Sequence, residues 1–170
     1  MGRAEENRRN FQKNAGYSLV ELIVVIAIIA VILATVSYSA VMVSGANTKA
    51  CANNLQRVIA DCKVTAMGKA DAFLELYGED GEVFCKMTID GAEQEEQRLG
   101  TDRVRVTCEG ENAVLYINAG DSLTIRYDRG TGSFAKETAE ACHSIVIEGG
   151  NKKYELRLIP LTGRTELTLR

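Results

Sequence analysis

Little in this 170-residue sequence is equipped for acid–base or nucleophilic chemistry, since it holds one histidine, His143, and no tryptophan. With one histidine and no organised carboxylate pair, no nucleophile–base set can be assembled, so no catalytic residue is assigned and an enzyme is not expected. Proline is nearly missing too, at one residue, and aromatic residues amount to 6 %. That scarcity, beside 46 % hydrophobic residues, excludes a disordered or repetitive chain and leaves enough apolar material for a packed core. An excess of positive charge is lacking as well. Lys and Arg total 20 against 23 Asp and Glu, a formal net charge of −3, so a nucleic-acid partner is not expected. The length corresponds to one compact domain, or to one domain plus an appendage.

Metal and phosphate motifs are also missing. No C-x-x-C pair occurs, and His143 beside Cys142 is too little for a zinc site. Gly130-Thr131-Gly132 is followed neither by Lys-Ser/Thr nor by a helical pattern, and reads as a turn rather than a phosphate loop. Asp121 and Asp128 lie close to glycines but match no spaced calcium-ligand set. No metal and no cofactor is therefore expected. Residues 93–96, Glu-Gln-Glu-Glu, read as a solvated loop or short helix.

Charge is distributed unevenly along the chain. Residues 1–16 carry Arg3, Arg8, Arg9 and Lys13 against Glu5 and Glu6, with hardly anything apolar. Residues 19–36 then read LVELIVVIAIIAVILATV, with Glu21 as the only charge, and residues 38–43 continue the run more weakly. The hydrocarbon core of a bilayer is about 30 Å thick, so roughly 20 apolar helical residues suffice to cross it. A membrane span is expected here. The basic flank places the amino terminus in the cytoplasm by the positive-inside rule and the carboxyl-terminal part outside. A cleaved secretory signal fits less well, because its apolar region runs about 7 to 15 residues and carries no carboxylate near its start.

Beyond the run, Cys51, Leu55, Val58, Ile59, Cys62 and Ala66 recur at steps of three and four between polar residues, which is one buried stripe on an amphipathic helix over 46–67. Only Gly45 interrupts the pattern between residues 17 and 67. A single helix of about 77 Å is therefore expected, with Gly68 as its stop. The period then changes to two. Strands are expected over 73–77 and 82–90, joined by the turn Glu79-Asp80-Gly81, with Val83, Cys85, Met87 and Ile89 on one face. Further strands are expected over 103–109, 113–118, 122–128, 143–148, 153–159 and 165–169. The sum is one antiparallel sheet, whose apolar face the helical stripe alone is long enough to cover.

At Gly16-Tyr17-Ser18-Leu19-Val20-Glu21 the polar leader meets the apolar run. The order of glycine, aromatic residue, three residues and glutamate resembles the prepilin signal of type IV pilins and of the pseudopilins of type II secretion and DNA-uptake machines. The resemblance implies that a membrane peptidase and methyltransferase cuts between Gly16 and Tyr17 and methylates Tyr17. Glu21, then fifth in the mature chain, would pair with the amino terminus of a neighbouring subunit inside the membrane. A buried carboxylate needs such a partner, at a cost of about 2.5 to 3.5 kcal/mol. Ser18-Leu19-Val20-Glu21 is equally a capping-box pattern, in which Glu21 serves only its own helix. Two positions depart from the pattern of major pilins: Ala30 and Tyr38 stand where glycine and proline are common.

The five cysteines, Cys51, Cys62, Cys85, Cys108 and Cys142, are read either as disulfide partners or as buried thiols, with an odd count leaving at least one unpaired. Cys51 and Cys62 cannot bridge each other on one helix, where eleven residues place them about 16 Å apart.

The expected fold is α+β and pilin-like: a long N-terminal helix, its first half transmembrane and its second half packed on an antiparallel head. The expected segments are a cytoplasmic leader over 1–16, a membrane and assembly helix over 17–44, and an extracytoplasmic head over 45–170. The resemblance implies a structural subunit of a type IV pilus or pseudopilus, located in the cytoplasmic membrane and, after assembly, in a surface filament. Implied partners are prepilin peptidase, other pilin or pseudopilin subunits, a membrane platform protein, an assembly ATPase and the lipid bilayer. The alternative is a membrane-anchored surface protein whose β-rich head binds a ligand without polymerising.

Overall fold

The computed structural model describes residues 18–68, 70–111 and 113–170, and the side chains of these except 35–42. The expected leader, with Gly16 and Tyr17, lies outside the described residues. Helix α1 runs unbroken over Leu19–Met67, 49 residues. No proline removes a rung from its ladder. It stops where expected, the Gly68 amide donating to the carbonyls of Val64 at 3.0 Å and Thr65 at 3.1 Å. By its contacts the chain divides into Met1–Ser37 and Tyr38–Arg170.

In the first unit the described side chains other than Ser18 and Glu21 are apolar, and they are exposed on every side of the helix: Val20 is 66 % exposed, Ile26 58 % and Val31 65 %. Part of the expected span, residue 17 and the side chains of 35–42, lies outside the described residues. Among the described residues no helix is long and apolar enough to cross a membrane.

The second unit is built on the continuation of α1. All six residues of the expected stripe, from Cys51 to Ala66, are buried. Strands β1 (Ala72–Glu79) and β2 (Glu82–Ile89) form a hairpin in register from Ala72 opposite Ile89 to Glu79 opposite Glu82. Its turn places Asp80 at φ 50° and Gly81 at φ 80°, the paired left-handed residues of a two-residue hairpin that Asp-Gly suits. Asp90 and Gly91 repeat that turn, at φ 50° and 81°, and send the chain into β3 (Ala92–Glu93). Strand β4 (Gln97–Gly100) returns along the same edge of β2 as β3.

Next come β5 (Arg105–Glu109), β6 (Val114–Tyr116) and a 3-10 turn over Ile117–Ala119, followed by β7 (Ser122–Arg126). A short helix α2 (Lys136–Ala141) precedes β8 (Ser144–Gly149), β9 (Lys152–Ile159) and β10 (Arg164–Leu169).

The single expected sheet is corrected to two, both antiparallel. One has the order β3-β2-β1-β7, with β4 also on β2, and the other runs β10-β9-β8-β5-β6. One hydrophobic cluster joins them under α1: Leu55 and Ile59 of the helix, Leu74, Leu76 and Ile125 of the first sheet, and Val106, Ile145 and Leu156 of the second. The expected strand over 113–118 is also corrected. The chain leaves β6 after Tyr116 because Ile117 turns fully into the core, while Asn118 is drawn between the sheets. The Asn118 side chain donates to the carbonyls of Gly81 at 2.7 Å and Val104 at 2.9 Å and accepts the Val106 amide at 2.7 Å. Residues 93–96 are in part strand, since β3 ends at Glu93. Helix α2, absent from the sequence reading, closes the β7 edge: the buried Thr138 hydroxyl accepts the Arg126 amide at 2.9 Å and donates to the Thr124 carbonyl at 3.2 Å.

Side-chain bonds tie α1 to both sheets, through Gly149 of β8 and through Tyr127 at the end of β7. The Thr48 hydroxyl shares its hydrogen between the Ser44 carbonyl at 2.8 Å and the Gly149 carbonyl at 3.1 Å, and the Tyr127 hydroxyl donates to the Ile59 carbonyl at 3.2 Å. Gly149 has to be glycine, because a Cβ there would stand 2.5 Å from the Thr48 hydroxyl and 2.8 Å from the Arg103 carbonyl.

Leu55 is completely buried where α1 meets the core. Its replacement by Ala is expected to cost about 2 to 5 kcal/mol. Urea unfolding of the detergent-solubilised chain, followed by circular dichroism, measures this; a loss under about 1 kcal/mol would mean that the helix is not part of the head's core.

Candidate functional site

Ser18 immediately precedes α1, and its carbonyl accepts the Leu22 amide at 3.1 Å, the first bond of the helical ladder. Glu21 sits in the first turn with its side chain exposed. A carboxylate there complements the partial positive charge of the helix amino terminus. From Leu19 to Val31 this acid is the only ionisable group on an otherwise apolar, exposed helix. A helix apolar all round belongs inside a protein assembly or a bilayer, not in water. Gly16 and Tyr17, the expected processing positions, lie outside the described residues.

The cysteines divide into two kinds. Cys108 of β5 is bonded to Cys142, directly after α2, with their Cα atoms 5.8 Å apart. Cys51 and Cys62 on α1 and Cys85 on β2 are free and buried. Burial pushes the Cys51 thiol up to about 12, with the neighbouring Cys85 adding to the effect. Burial likewise raises Cys62 to about 11. Cys85 rises to about 11 through burial, opposed by Arg57 and aided by Glu96. Thiols held protonated in this way are poor nucleophiles and poor metal ligands.

The remaining polar candidates do not gather into a site. His143 is exposed and pairs through its backbone, its amide donating to the Glu109 carbonyl at 2.8 Å and its carbonyl accepting the Leu158 amide at 2.8 Å. Asp128 serves its own turn: one carboxylate oxygen accepts the Thr131 hydroxyl and amide, each at 2.8 Å, and the Gly130 amide at 3.0 Å. Those bonds, the Thr131 hydroxyl foremost, hold its carboxyl below the usual range. Asp121 accepts the Tyr116 amide at 2.8 Å. Among the described residues no group of three or more His, Cys, Asp or Glu is placed to hold a metal ion. The Gly130-Thr131-Gly132 segment is a turn, with Gly132 at φ 69°.

Alkylation in denaturant is expected to count three thiols without reductant and five with it. Breaking the bridge with Cys108→Ser and Cys142→Ser together should cost about 3 to 4 kcal/mol, the loop-closure value for a separation of 34 residues. The three buried thiols also set an alkaline limit. Each folded-state value lies above the ordinary 9.0, so their contribution is complete below pH 9 and is lost as pH rises toward about 11 to 12. A pH series of denaturation midpoints should fall across that window and flatten in Cys62→Ala.

Residues 11–37 match the family described as the prokaryotic N-terminal methylation motif. The match spans the change from polar to apolar sequence and includes Gly16, Tyr17 and Glu21. No curated protein and no solved structure matches the chain. The polar-to-apolar junction, with Glu21 in the first turn of an apolar helix, is thus the type IV pilin and pseudopilin signal.

Proposed function

We propose that the chain is a structural, non-enzymatic subunit of a type IV pilus or pseudopilus. In this reading it inserts in the cytoplasmic membrane through residues 17–44, is cut after Gly16 by prepilin peptidase, is methylated on Tyr17, and polymerises through α1. The methylation motif over residues 11–37 is the observation that carries the reading. The continuous helix and its exposed apolar surface support it, because both lipid and neighbouring helices supply the burial that this surface lacks. The machinery implied is a membrane platform protein with an assembly ATPase, acting on this subunit together with its copies or relatives.

Glu21 supplies the register. A carboxylate within the hydrocarbon costs about 2.5 to 3.5 kcal/mol. Staggering one helix along the next so that Glu21 meets the positive amino terminus at Tyr17 of a neighbour offsets that cost, and other registers leave both charges unpaired. Cutting after Gly16 creates that positive charge and removes four basic and two acidic residues. The mature chain then carries a net charge of −5.

Mass spectrometry of the membrane-extracted protein is expected to find methylated Tyr17 as the first residue. Met1 retained, or a start near residue 39, would remove the pilin reading and favour the anchored surface protein that does not polymerise. Glu21→Ala is expected to be processed normally and to assemble poorly, with filaments counted by electron microscopy. Filaments in normal number would leave Glu21 with a helix-capping role only.

A further inference from the structure

The turn between β8 and β9 gathers positive charge beside the part of α1 that directly follows the apolar run. An open cavity of about 680 Å³ is lined there by Arg103, Arg105, Lys152, Lys153 and Arg170, with Asp102 and Glu148 as its acids. Glu148 is already engaged, meeting Arg105 at 3.1 Å and Lys153 at 3.8 Å, and Arg170 pairs with Glu155 at 3.0 Å. Arg103 and Lys152 are both exposed, and among the described residues neither forms an ion pair. This cationic surface is anomalous on a mature chain with a net charge of −5.

Its position along α1 is fixed by contact. The side-chain stem of Lys152 packs against Gly45, so closely that a Cβ on Gly45 would stand 3.1 Å from it, and Thr48 bonds the Gly149 carbonyl at 3.1 Å. Val43 is the last large apolar residue of the run and is exposed. Gly45 and Thr48 follow it by about 3 Å and about 7.5 Å along the helix axis. The polar layer on each side of a bilayer is about 5 to 8 Å deep. With Val43 at the edge of the hydrocarbon, a turn held at Gly45 and Thr48 falls at headgroup depth.

We propose that this basic surface binds the phosphates of anionic phospholipid at the outer face of the membrane, an inference that rests on the anchored reading above. The contact holds the unassembled subunit with its head against the bilayer. Arg103 and Lys152 contribute most, because their charges are not already neutralised within the head. Each cation near an anionic surface is worth about a fivefold change in affinity, so removing two weakens the contact about 25-fold.

The test uses the processed full chain, one copy per nanodisc, with a fluorophore on Asn151→Cys and quencher on the lipid headgroups. Discs of phosphatidylcholine alone are compared with discs containing about one third phosphatidylglycerol. Quenching is expected to be stronger with phosphatidylglycerol, to fall in high salt, and to be lost in the Arg103→Gln, Lys152→Gln double variant. Equal quenching in both discs overturns the lipid assignment while leaving the anchored reading intact. Equal quenching in these single-copy discs, together with crosslinking between copies in multi-copy vesicles that the double variant loses, gives the surface to a neighbouring subunit and likewise overturns it. A chain that fails to enter either disc overturns the anchored reading, and this surface with it.

Discussion

One hydrogen-bonded ladder, from Leu19 to Met67, has to serve two surroundings, and everything else in the chain accommodates that constraint. Ten large apolar side chains between Leu19 and Val31 stay exposed, whereas between Cys51 and Ala66 a single stripe is buried. Full burial of a Val, Leu or Ile side chain is worth about 1.5 to 3 kcal/mol, so the exposed set corresponds to about 15 to 30 kcal/mol of unrealised burial. That exceeds the whole stability of an ordinary domain, about 5 to 15 kcal/mol. No rearrangement within one head can absorb such a surface. The proposed membrane and filament supply the missing contacts, first from lipid and then from other copies of the helix.

The head shows how a narrow stripe can organise two sheets. Neither sheet is closed, and each relies on the other and on α1 to cover its apolar face. Polar groups are spent where those layers meet. Asn118 ties the β1–β2 turn to β5, Thr138 fastens α2 to the β7 edge, Thr48 bonds the helix to β8 of the second sheet, and Tyr127 bonds it to the end of β7 in the first. Each group finds partners whose alternative would be a buried, unpaired backbone atom, which is why few bonds suffice to fix the arrangement.

What was legible in the sequence follows physical range. The continuous helix, its stop at Gly68 and its stripe were readable because a 3.6-residue period and an absent proline are local properties. The β1–β2 hairpin was readable from Asp80-Gly81, and Asp90-Gly91 is an equal local signal for the turn into β3. The division into two sheets was not legible, since alternation within a strand says nothing about which strand lies beside it. The same holds for α2, whose six residues are held by Thr138 against β7 rather than by any capping side chain. At the candidate site Glu21 stood out as a lone charge, while the basic surface around Lys152 joins residues from three strands and has no signature in any one segment.

The cysteines separate the head into a part stapled covalently and a part with no covalent link. The bridge between Cys108 and Cys142 fastens β5 to the end of α2, both remote in sequence from α1. Under the helix, Cys51, Cys62 and Cys85 act as small apolar side chains whose thiols burial keeps protonated. A bridge in that layer would pin α1 to the sheets. Without one, the helix is held by packing that each residue of the stripe contributes in a small increment, and by the hydrogen bonds of Thr48 and Tyr127. In the proposed filament, the seam between α1 and the sheets is then the part of the head most open to adjustment against neighbouring helices, and the stapled β5–α2 corner is the part that keeps its form.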